Sequence, residues 1–506
     1  LLPPLSVEEG VVTDNMNIST YDDTLVYLRQ FIPPPGWMER KGYIRDRAFF
    51  LLDQLGAPQE KIPVIHLAGT SGKGSTAYLI SHLLIAHGQK VGLHLSPHLF
   101  DIRERLQINE RWIPEDRFVR LVADLMPAIK KTEAAGHGQP TLFEILTALA
   151  YRYFAEEAVD FAVMETGLGG LHDATNTVRR SDKIAVITRI GFDHTEILGH
   201  TLAEIAEQKA GIILPGNPVI SSPQESEAAH VIQKAAREAG SEPIFIQPNT
   251  NYTALTLTPT SSRFNFTDGN VNLPDLNLSM TGNHQIENAS VALAALSAIS
   301  RQDRLTIQED AVRAALSTAH FPGRFDIYQT AQRIIILDAA HNPQKIARLT
   351  ETLVTLYPGQ TFDFLLAFKK NKDVKQCLST LVPLARQIYL TAFDMTQEQT
   401  ARSYPPSELA DILDELGFHR HRQVDDLYAD LPNLANSASV PLVITGSIFL
   451  LSLIYPRLTL LSPSKQLPDN KHEANRKRGG DQHSQNGVMR PKVDNLAGNR
   501  QGNNIK

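Results

Sequence analysis

Apolar residues along this chain come in two alternating rhythms. Short unbroken runs at 62–65, 90–95, 160–164, 183–190, 218–221 and 243–247 read as buried strands of a mostly parallel sheet. Between them, 77–84, 114–135, 141–158, 202–213 and 224–239 repeat apolar positions every three or four residues, the spacing of core-facing helices. Thr141 is the expected N-cap of the third of these, with Glu144 at the capping-box position. Upstream, 21–55 is mostly helical in pattern, broken at Pro33-Pro34-Pro35-Gly36, and 1–20 reads as a loose leader. Strand and helix in turn predict an α/β fold with a doubly wound, mostly parallel sheet.

The texture changes over 250–280, where short Thr/Asn-rich alternating runs predict a small antiparallel excursion. Helices return at 283–300 and 307–319, and Phe321-Pro322-Gly323-Arg324 then breaks the pattern. From Arg333 a second α/β series begins, with strands at 334–337, 362–367, 387–391 and 442–445 and helices at 344–357, 374–385 and 406–416. The expected organisation is a first domain over 21–327, a smaller Rossmann-like C-terminal α/β domain over 328–462 with the junction near Tyr328, and a disordered polar, basic tail over 463–506.

Composition narrows the picture in a few places. The single cysteine, Cys377, excludes a disulfide framework and fits a reducing, cytoplasmic setting; it reads as a small buried apolar residue. Leu1-Leu2-Pro3-Pro4-Leu5 has neither the basic start nor the long apolar run of a signal peptide. The net charge of −6 is unevenly spread: 464–506 carries nine Lys/Arg and four Asp/Glu, which leaves the rest acidic and speaks against nucleic-acid binding by the folded part. The most apolar stretch, 440–461, is interrupted by Pro441, Gly446, Pro456 and Arg457, so it reads as a buried strand followed by a helix rather than a membrane span.

Candidate chemistry begins right after the first strand. His66-Leu67-Ala68-Gly69-Thr70-Ser71-Gly72-Lys73-Gly74-Ser75-Thr76 sets a glycine-rich turn with one lysine between a strand and a helix start. Glycines let backbone N–H groups approach phosphates, the helix N-terminus favours negative charge, and the lysine adds a point charge, so Gly72, Lys73, Gly74 and Ser75 are candidate polyphosphate contacts. The common P-loop needs glycine at position 67 and a hydroxyl directly after the lysine; Leu67 and Gly74 stand there, which makes this a tighter variant.

Open α/β sheets bind ligands beyond the carboxyl ends of their strands. Ser96, Glu165 and Asp193-His194 each follow a predicted strand. Hydroxyl, carboxylate and imidazole at that level suit one or two divalent cations, and magnesium, which prefers oxygen and keeps waters, needs few protein ligands. Each also has a structural alternative: Ser96 as a cap, Glu165 in a surface ion pair, His194 as a satisfied core histidine. Gly167-Leu168-Gly169-Gly170 forms a second flexible loop. Asp338 and His341 end the first strand of the second domain and, with Arg324 at the hinge, are placed to reach a nucleotide between the domains.

Taken in order, these segments resemble the folylpolyglutamate synthase/dihydrofolate synthase family, a branch of the Mur ligase superfamily. The matching residues are 69–75, Ser96-Pro97-His98, Thr141-Leu142-Phe143-Glu144, 165–170, Asp173-Ala174-Thr175-Asn176, 191–194 with Leu198-Gly199, 209–212, Gly282 with Asn288-Ala289, 321–324 and 338–343, spread over roughly residues 40–455. The resemblance implies a monomeric ATP-dependent amide ligase that phosphorylates a carboxylate of dihydropteroate or a (tetrahydro)folate and joins L-glutamate to it. It implies two magnesium sites, the first with Ser96 and Glu165, the second with Glu165 and His194, and a Lys209 carbamylated by CO₂. Lys73, Lys209 and His194 are then the catalytic set. Asn288, Arg324 and Asp338 match nucleotide contacts, with His341 alongside. Thr141, Phe143, Glu144, His172, Asp173 and Ala174 match segments that line a pterin site; for Thr141 and Glu144 the capping box is an equal alternative.

Some positions depart from the family pattern. Ser71 replaces an asparagine, Leu95 a threonine, Leu171 an arginine beside the substrate, and Ala339 a glycine that matters only if the position needs a positive φ. Two other readings compete. One is a ligase of peptidoglycan precursors from the same superfamily, against which the Ser-Pro-His and Gly-Leu-Gly-Gly segments argue. The other is a catalytically silent nucleotide-binding regulator, which would have no need to keep Lys73, Glu165, His194 and Lys209.

Overall fold

Strands apolar on both faces must be covered on both, and this requirement organises the first half of the chain. The computed structural model describes residues 18–34, 45–330, 332–396, 400–436 and 440–461. The expected leader up to residue 17, Pro35-Gly36 of the helix-breaking segment and the expected tail over 463–506 lie outside the described residues. Of the leader, Ile18 is buried and Thr20 caps the helix Tyr21–Arg29.

The first sheet contains β1 (Val64–Ala68), β2 (Val91–His94), β3 (Gln107–Ile108), β4 (Arg111–Trp112), β5 (Phe161–Glu165), β6 (Ile184–Ile187), β7 (Val219–Ser221) and β8 (Pro243–Phe245) in the order β4-β3-β2-β5-β1-β6-β7-β8. All pairings are parallel except those of the short β3–β4 ribbon at the edge. β1 lies between the later strands β5 and β6, with Leu67 opposite Glu165 and Ala68 opposite Ile187. The chain therefore leaves β1 to both sides, which opens a crevice at its carboxyl end.

Helices Lys73–Ala86 and Asn283–Arg301 cover one face. The second of these is buried from Gln285 to Ile299, as a helix apolar or small on every side must be. Glu115–Thr132 and Leu142–Glu156 cover the other face, and Thr141 and Glu144 form the expected capping box at the start of the latter. Three antiparallel strands, β9 (Tyr252–Thr258), β10 (Ser261–Thr267) and β11 (Asn272–Leu278), make the excursion expected over 250–280. Their alternation turns Phe264, Phe266, Leu276 and Leu278 into the core.

The second sheet is built from β12 (Asp326–Gln329), β13 (Ile334–Leu337), β14 (Phe362–Leu366) and β15 (Ala385–Leu390), a separate hairpin β16 (Asp394–Thr396) and β17 (Thr400–Arg402), then β18 (His421–Gln423) and β19 (Leu442–Thr445). Its order is β12-β13-β19-β14-β15-β18, parallel apart from β12. Tyr328, where the sequence places the junction, falls inside β12, which pairs with β13 and so belongs to this second layer. β19 and the helix Ile448–Leu461 occupy the apolar stretch expected to be strand then helix. Among the described residues no helix is long and apolar enough to cross a membrane. Cys377 is free and buried.

An ion pair and a lone lysine are sealed in these layers. Arg333 and Asp363, both fully buried beneath the second sheet, pair at 2.9 Å. In the first, Lys183 has no exposed surface, and its Nζ lies 3.5 Å from Asn176 Oδ1. Nearby, the Thr175 hydroxyl donates to Asp173 Oδ1 at 2.5 Å and so accepts from His66 Nε2 at 2.8 Å, which assigns the His66 tautomer.

Burial pushes the Lys183 ammonium down to about 7, with Glu60 opposing the shift and Arg45 adding to it. Between that value and the ordinary 10.5 the unfolded chain holds more protons, so this group's penalty on folding is present at neutral pH and fades as pH rises. Lys183→Met is expected to stabilise the protein by about 1–3 kcal/mol at neutral pH and by little above the ordinary lysine value, measured by urea unfolding at both pH values. A destabilised variant would show that Lys183 is better paired than its surroundings indicate.

Candidate active site

The phosphate loop is held by sterics as much as by hydrogen bonds. Gly69 has φ +154°, and a Cβ there would meet Thr188 Oγ1 at 1.9 Å. Gly72 has φ +89°, and its Cβ would meet Asn288 Oδ1 at 2.4 Å. The Thr70 and Ser71 amides donate to Arg189 O at 3.0 and 3.1 Å, which fastens the loop to the segment after β6. Gly72 then caps the helix beginning at Lys73, whose free N–H groups face the crevice.

Lys73 Nζ donates to Gly69 O at 3.2 Å and Lys209 Nζ to the same oxygen at 2.9 Å. Among the described residues neither ammonium has a carboxylate partner. Burial, with Lys73 close by, pushes Lys209 down to about 7.

The opposite sign is gathered one strand away. Glu165 ends β5, is 5% exposed, and accepts the Ser96 amide at 3.1 Å on Oε2. No cationic side chain among the described residues pairs with it, and burial pushes its carboxyl up, opposed by Lys73. His194, at φ +52°, caps the short helix Thr195–Leu198. Burial and then Lys372 push its imidazole down to about 3, so it is neutral at neutral pH. Asp193 beside it is pushed up by burial, but the Lys372 ammonium outweighs that and holds it well below the usual carboxylate range.

Carboxyl ends of strands from both sheets face one cavity of about 370 Å³. Its walls include Gly72, Lys73, Gly74, Ser75, Ser96, Thr141, Phe143, Glu144, Glu165, Ala174, His194, Lys209, Asn288, Arg324, Asp338 and His341. Two expected residues stand elsewhere. His172 is exposed and outside the cavity wall. Asp173 is fully buried and spends its carboxylate inward, on the Leu168 amide at 3.0 Å and on Thr175. The structure thus gives the Asp173 carboxylate the work of tying down the 167–170 loop. Glu144 combines its capping role with a two-pronged ion pair to Arg47, at 2.8 and 2.9 Å.

Asp338 accepts the Phe325 and Ala340 amides at 3.0 and 2.8 Å, and burial, opposed by Arg324, raises its carboxyl to about 6. The Arg324 guanidinium lies over the Phe321 ring, which stacks on Tyr78. Ala339 is not among the residues with positive φ, so its replacement of glycine carries no strain.

Several wall residues escape sequence reasoning. Arg189 pairs with Glu287 at 2.6 Å, and Lys345 and Lys372 come from the carboxy-terminal layer. The two layers are joined across the cavity. Lys372 Nζ lies 2.5 Å and Asn342 Nδ2 2.9 Å from Asp193, while Ser71 Oγ meets Gln344 Oε1 at 2.5 Å. Lys372 lies in the segment after β14, within reach of the strand-end rule that found Asp338, whereas Lys345 lies in the helix Pro343–Leu356, where that rule does not point. Arg47 and Glu287 sit on helices, where no such rule points.

Residues 67–296 match the family model described as Mur ligase middle domain, and 324–457 match that of the dihydrofolate synthetase C-terminal domain. The dihydrofolate synthase/folylpolyglutamate synthase of Bacillus subtilis is 33% identical over 411 residues, covering 81% of this chain and 93% of the relative. The chain belongs to the dihydrofolate synthase/folylpolyglutamate synthase family. The folylpolyglutamate synthase of Thermotoga maritima superposes with a TM-score of 0.72 at 30% identity, covering 87% of this chain and 96% of that one. The Mycobacterium tuberculosis folylpolyglutamate synthase, solved with ADP and AMPPCP, does so with a TM-score of 0.75 at 27% identity, covering 88% of this chain and all of that one. The two layers described above are those of this family, and the chain is an ATP-dependent ligase of folate metabolism. Neither the silent-regulator reading nor the peptidoglycan reading survives that assignment.

The join between the layers can be tested. Truncating one partner of a buried, hydrogen-bonded charge pair costs about 2–5 kcal/mol. Asp193 and Lys372 side chains are only 12% and 7% exposed. Lys372→Met should therefore loosen the closed arrangement and enlarge the radius of gyration in small-angle scattering. An unchanged radius would show that closure rests on the Gln344 contacts instead.

Proposed function

We propose that the enzyme joins L-glutamate to dihydropteroate, to tetrahydrofolates, or to both, through an acyl phosphate. A carboxylate oxygen of the pterin-bearing substrate attacks the terminal phosphorus of ATP. The bond to the bridging oxygen breaks, and its electron pair leaves on ADP. The glutamate amine then attacks the acyl carbon, the carbon–oxygen bond breaks, and inorganic phosphate departs while the amine proton passes to solvent. The observation that carries this reading is the meeting, in one cavity, of a phosphate loop, lysines with no ion-paired anion among the described residues, and a buried carboxylate with no ion-paired cation among them.

Phosphoryl transfer needs charge neutralisation and positioning more than covalent help. Lys73 supplies the first from the loop. The walls from both layers keep water from the acyl phosphate, which it would otherwise hydrolyse. Phe143 and Ala174, with the Arg47–Glu144 pair, offer an apolar wall with a polar edge for the pterin.

The donors also fit magnesium. Among the described residues no three His, Cys, Asp or Glu side chains gather closely enough to hold a metal alone. A cation that keeps waters and takes phosphate oxygens needs only one or two protein ligands. Glu165 with the Ser96 hydroxyl would hold one ion and Glu165 with His194 a second. Bound there, magnesium would neutralise charge on the phosphates. Lys209 fits the carbamylation implied by the resemblance: it is 3% exposed, has no anionic partner among the described residues, and is low enough in pKa to offer a neutral amine to CO₂. The carbamate would turn a cation into an oxygen donor beside that site.

Two measurements test this reading. With ATP, magnesium and labelled glutamate, label should enter dihydropteroate, tetrahydrofolate or both; incorporation into neither would sink the proposal. Equilibration with ¹³C-bicarbonate should give a carbamate signal that Lys209→Met removes, and its absence from the wild-type protein would leave Lys209 as a plain amine.

A further inference from the structure

Lys345 stands where folding alone would not put it. It lies in the first turn of the helix Pro343–Leu356, whose positive end disfavours a cation. It lines the cavity, where burial depresses its protonation, opposed by Asp193 and reinforced by the nearby Lys73, Arg324 and Lys372. Its Nζ is 3.1 Å from His341 Nε2. That nitrogen must be the acceptor, because His341 Nδ1 gives its proton to Ala339 O at 2.8 Å. His341 therefore orients the ammonium without neutralising it.

Asp193 is the anion with the largest pull on Lys345, yet its oxygens already take Lys372 and Asn342. Among the described residues no carboxylate pairs with Lys345. A cation held among cations, on the positive end of a helix, needs an anion brought by a ligand.

We propose that Lys345 is a further phosphoryl-binding residue, contacting the terminal phosphoryl group of ATP from the face opposite Lys73. The placement follows from its neighbours. Gln344, one residue earlier, is bonded to Ser71 of the phosphate loop and, at 3.3 Å, to Ile190 O. Lys345 also acts electrostatically on Glu165, the candidate magnesium ligand beside the loop's terminal end. Its charge thus falls at the outer phosphate rather than at the sugar or base. As the phosphorus leaves the bridging oxygen for the substrate carboxylate, the three non-bridging oxygens keep their charge, so one ammonium serves ATP and acyl phosphate alike. This rests on the ligase reading above, but the binding it requires needs only the nucleotide.

The same cation would also suit a carboxylate of the incoming amino acid, and the test separates the two sources. Affinities of AMPPCP and ADP are measured by calorimetry, with magnesium, for wild type, Lys345→Met and Lys345→Arg. Lys345→Met should lose AMPPCP affinity by roughly 10- to 100-fold, keep ADP affinity within about twofold, and leave the KM for glutamate unchanged; Lys345→Arg should recover most of the loss. Equal loss for both nucleotides would mean that Lys345 only holds the layers together, and would overturn the proposal. So would unchanged nucleotide binding with a raised glutamate KM, which would assign the cation to the amino acid. Because the nucleotide comparison needs no acceptor, a failure of the folate reading leaves its outcome intact.

Discussion

Positive charge without internal compensation governs this structure. Lys73 and Lys209 share a single carbonyl, Gly69 O, and Lys345 faces them from the other layer. Like charges in a partly dry cavity oppose folding, and among the described residues no carboxylate forms an ion pair with any of the three, Asp193 relieving Lys209 and Lys345 only from a distance. The chain tolerates this because the surrounding scaffold is over-determined. The loop is pinned to Arg189 by its amides, and the carboxy-terminal layer is fastened through Asp193 and Gln344. What the fold leaves unsatisfied is the charge pattern that a polyphosphate and its cations complete.

Both sheets serve that end by the same geometry. β1, β2, β5 and β6 bring the phosphate loop, Ser96, Glu165 and His194 to one side of the cavity, while β13 and β14 bring Asp338 and Lys372 to the other. Side chains at strand ends have rigid backbones behind them, and buried hydrogen bonds between strand and loop, such as the chain from His66 of β1 through Thr175 to Asp173, stiffen the support further.

Much of this was legible in the residues. Unbroken apolar runs marked the parallel strands because burial on both faces leaves no room for polar alternation. The capping box at Thr141 and Glu144 was visible because local hydrogen bonding depends on local spacing. The β3–β4 ribbon, β12 and β18 were invisible because two to four half-exposed residues carry no periodic signal. The inward turn of Asp173 is not legible for a related reason: adjacency in a motif does not say which way a side chain turns, and a carboxylate next to a glycine loop serves a buried amide as readily as a ligand. Lys345 was passed over since a lysine early in a helix ordinarily reads as a solvated face. Only the tertiary partner of each residue distinguishes these cases.

The contact between Gly72 and Asn288 carries a consequence for how this sequence can drift. The space a Cβ would need at position 72 is occupied by the Asn288 amide, and Asn288 is itself held by Gln285 at 3.0 Å. Two positions far apart in the chain therefore form one steric unit. A larger residue at 72 is admissible only after a smaller one has arrived at 288, and the positive φ at 72 resists even that order of events. Substitutions at the loop and on the Asn283–Arg301 helix should accordingly be inherited together or not at all.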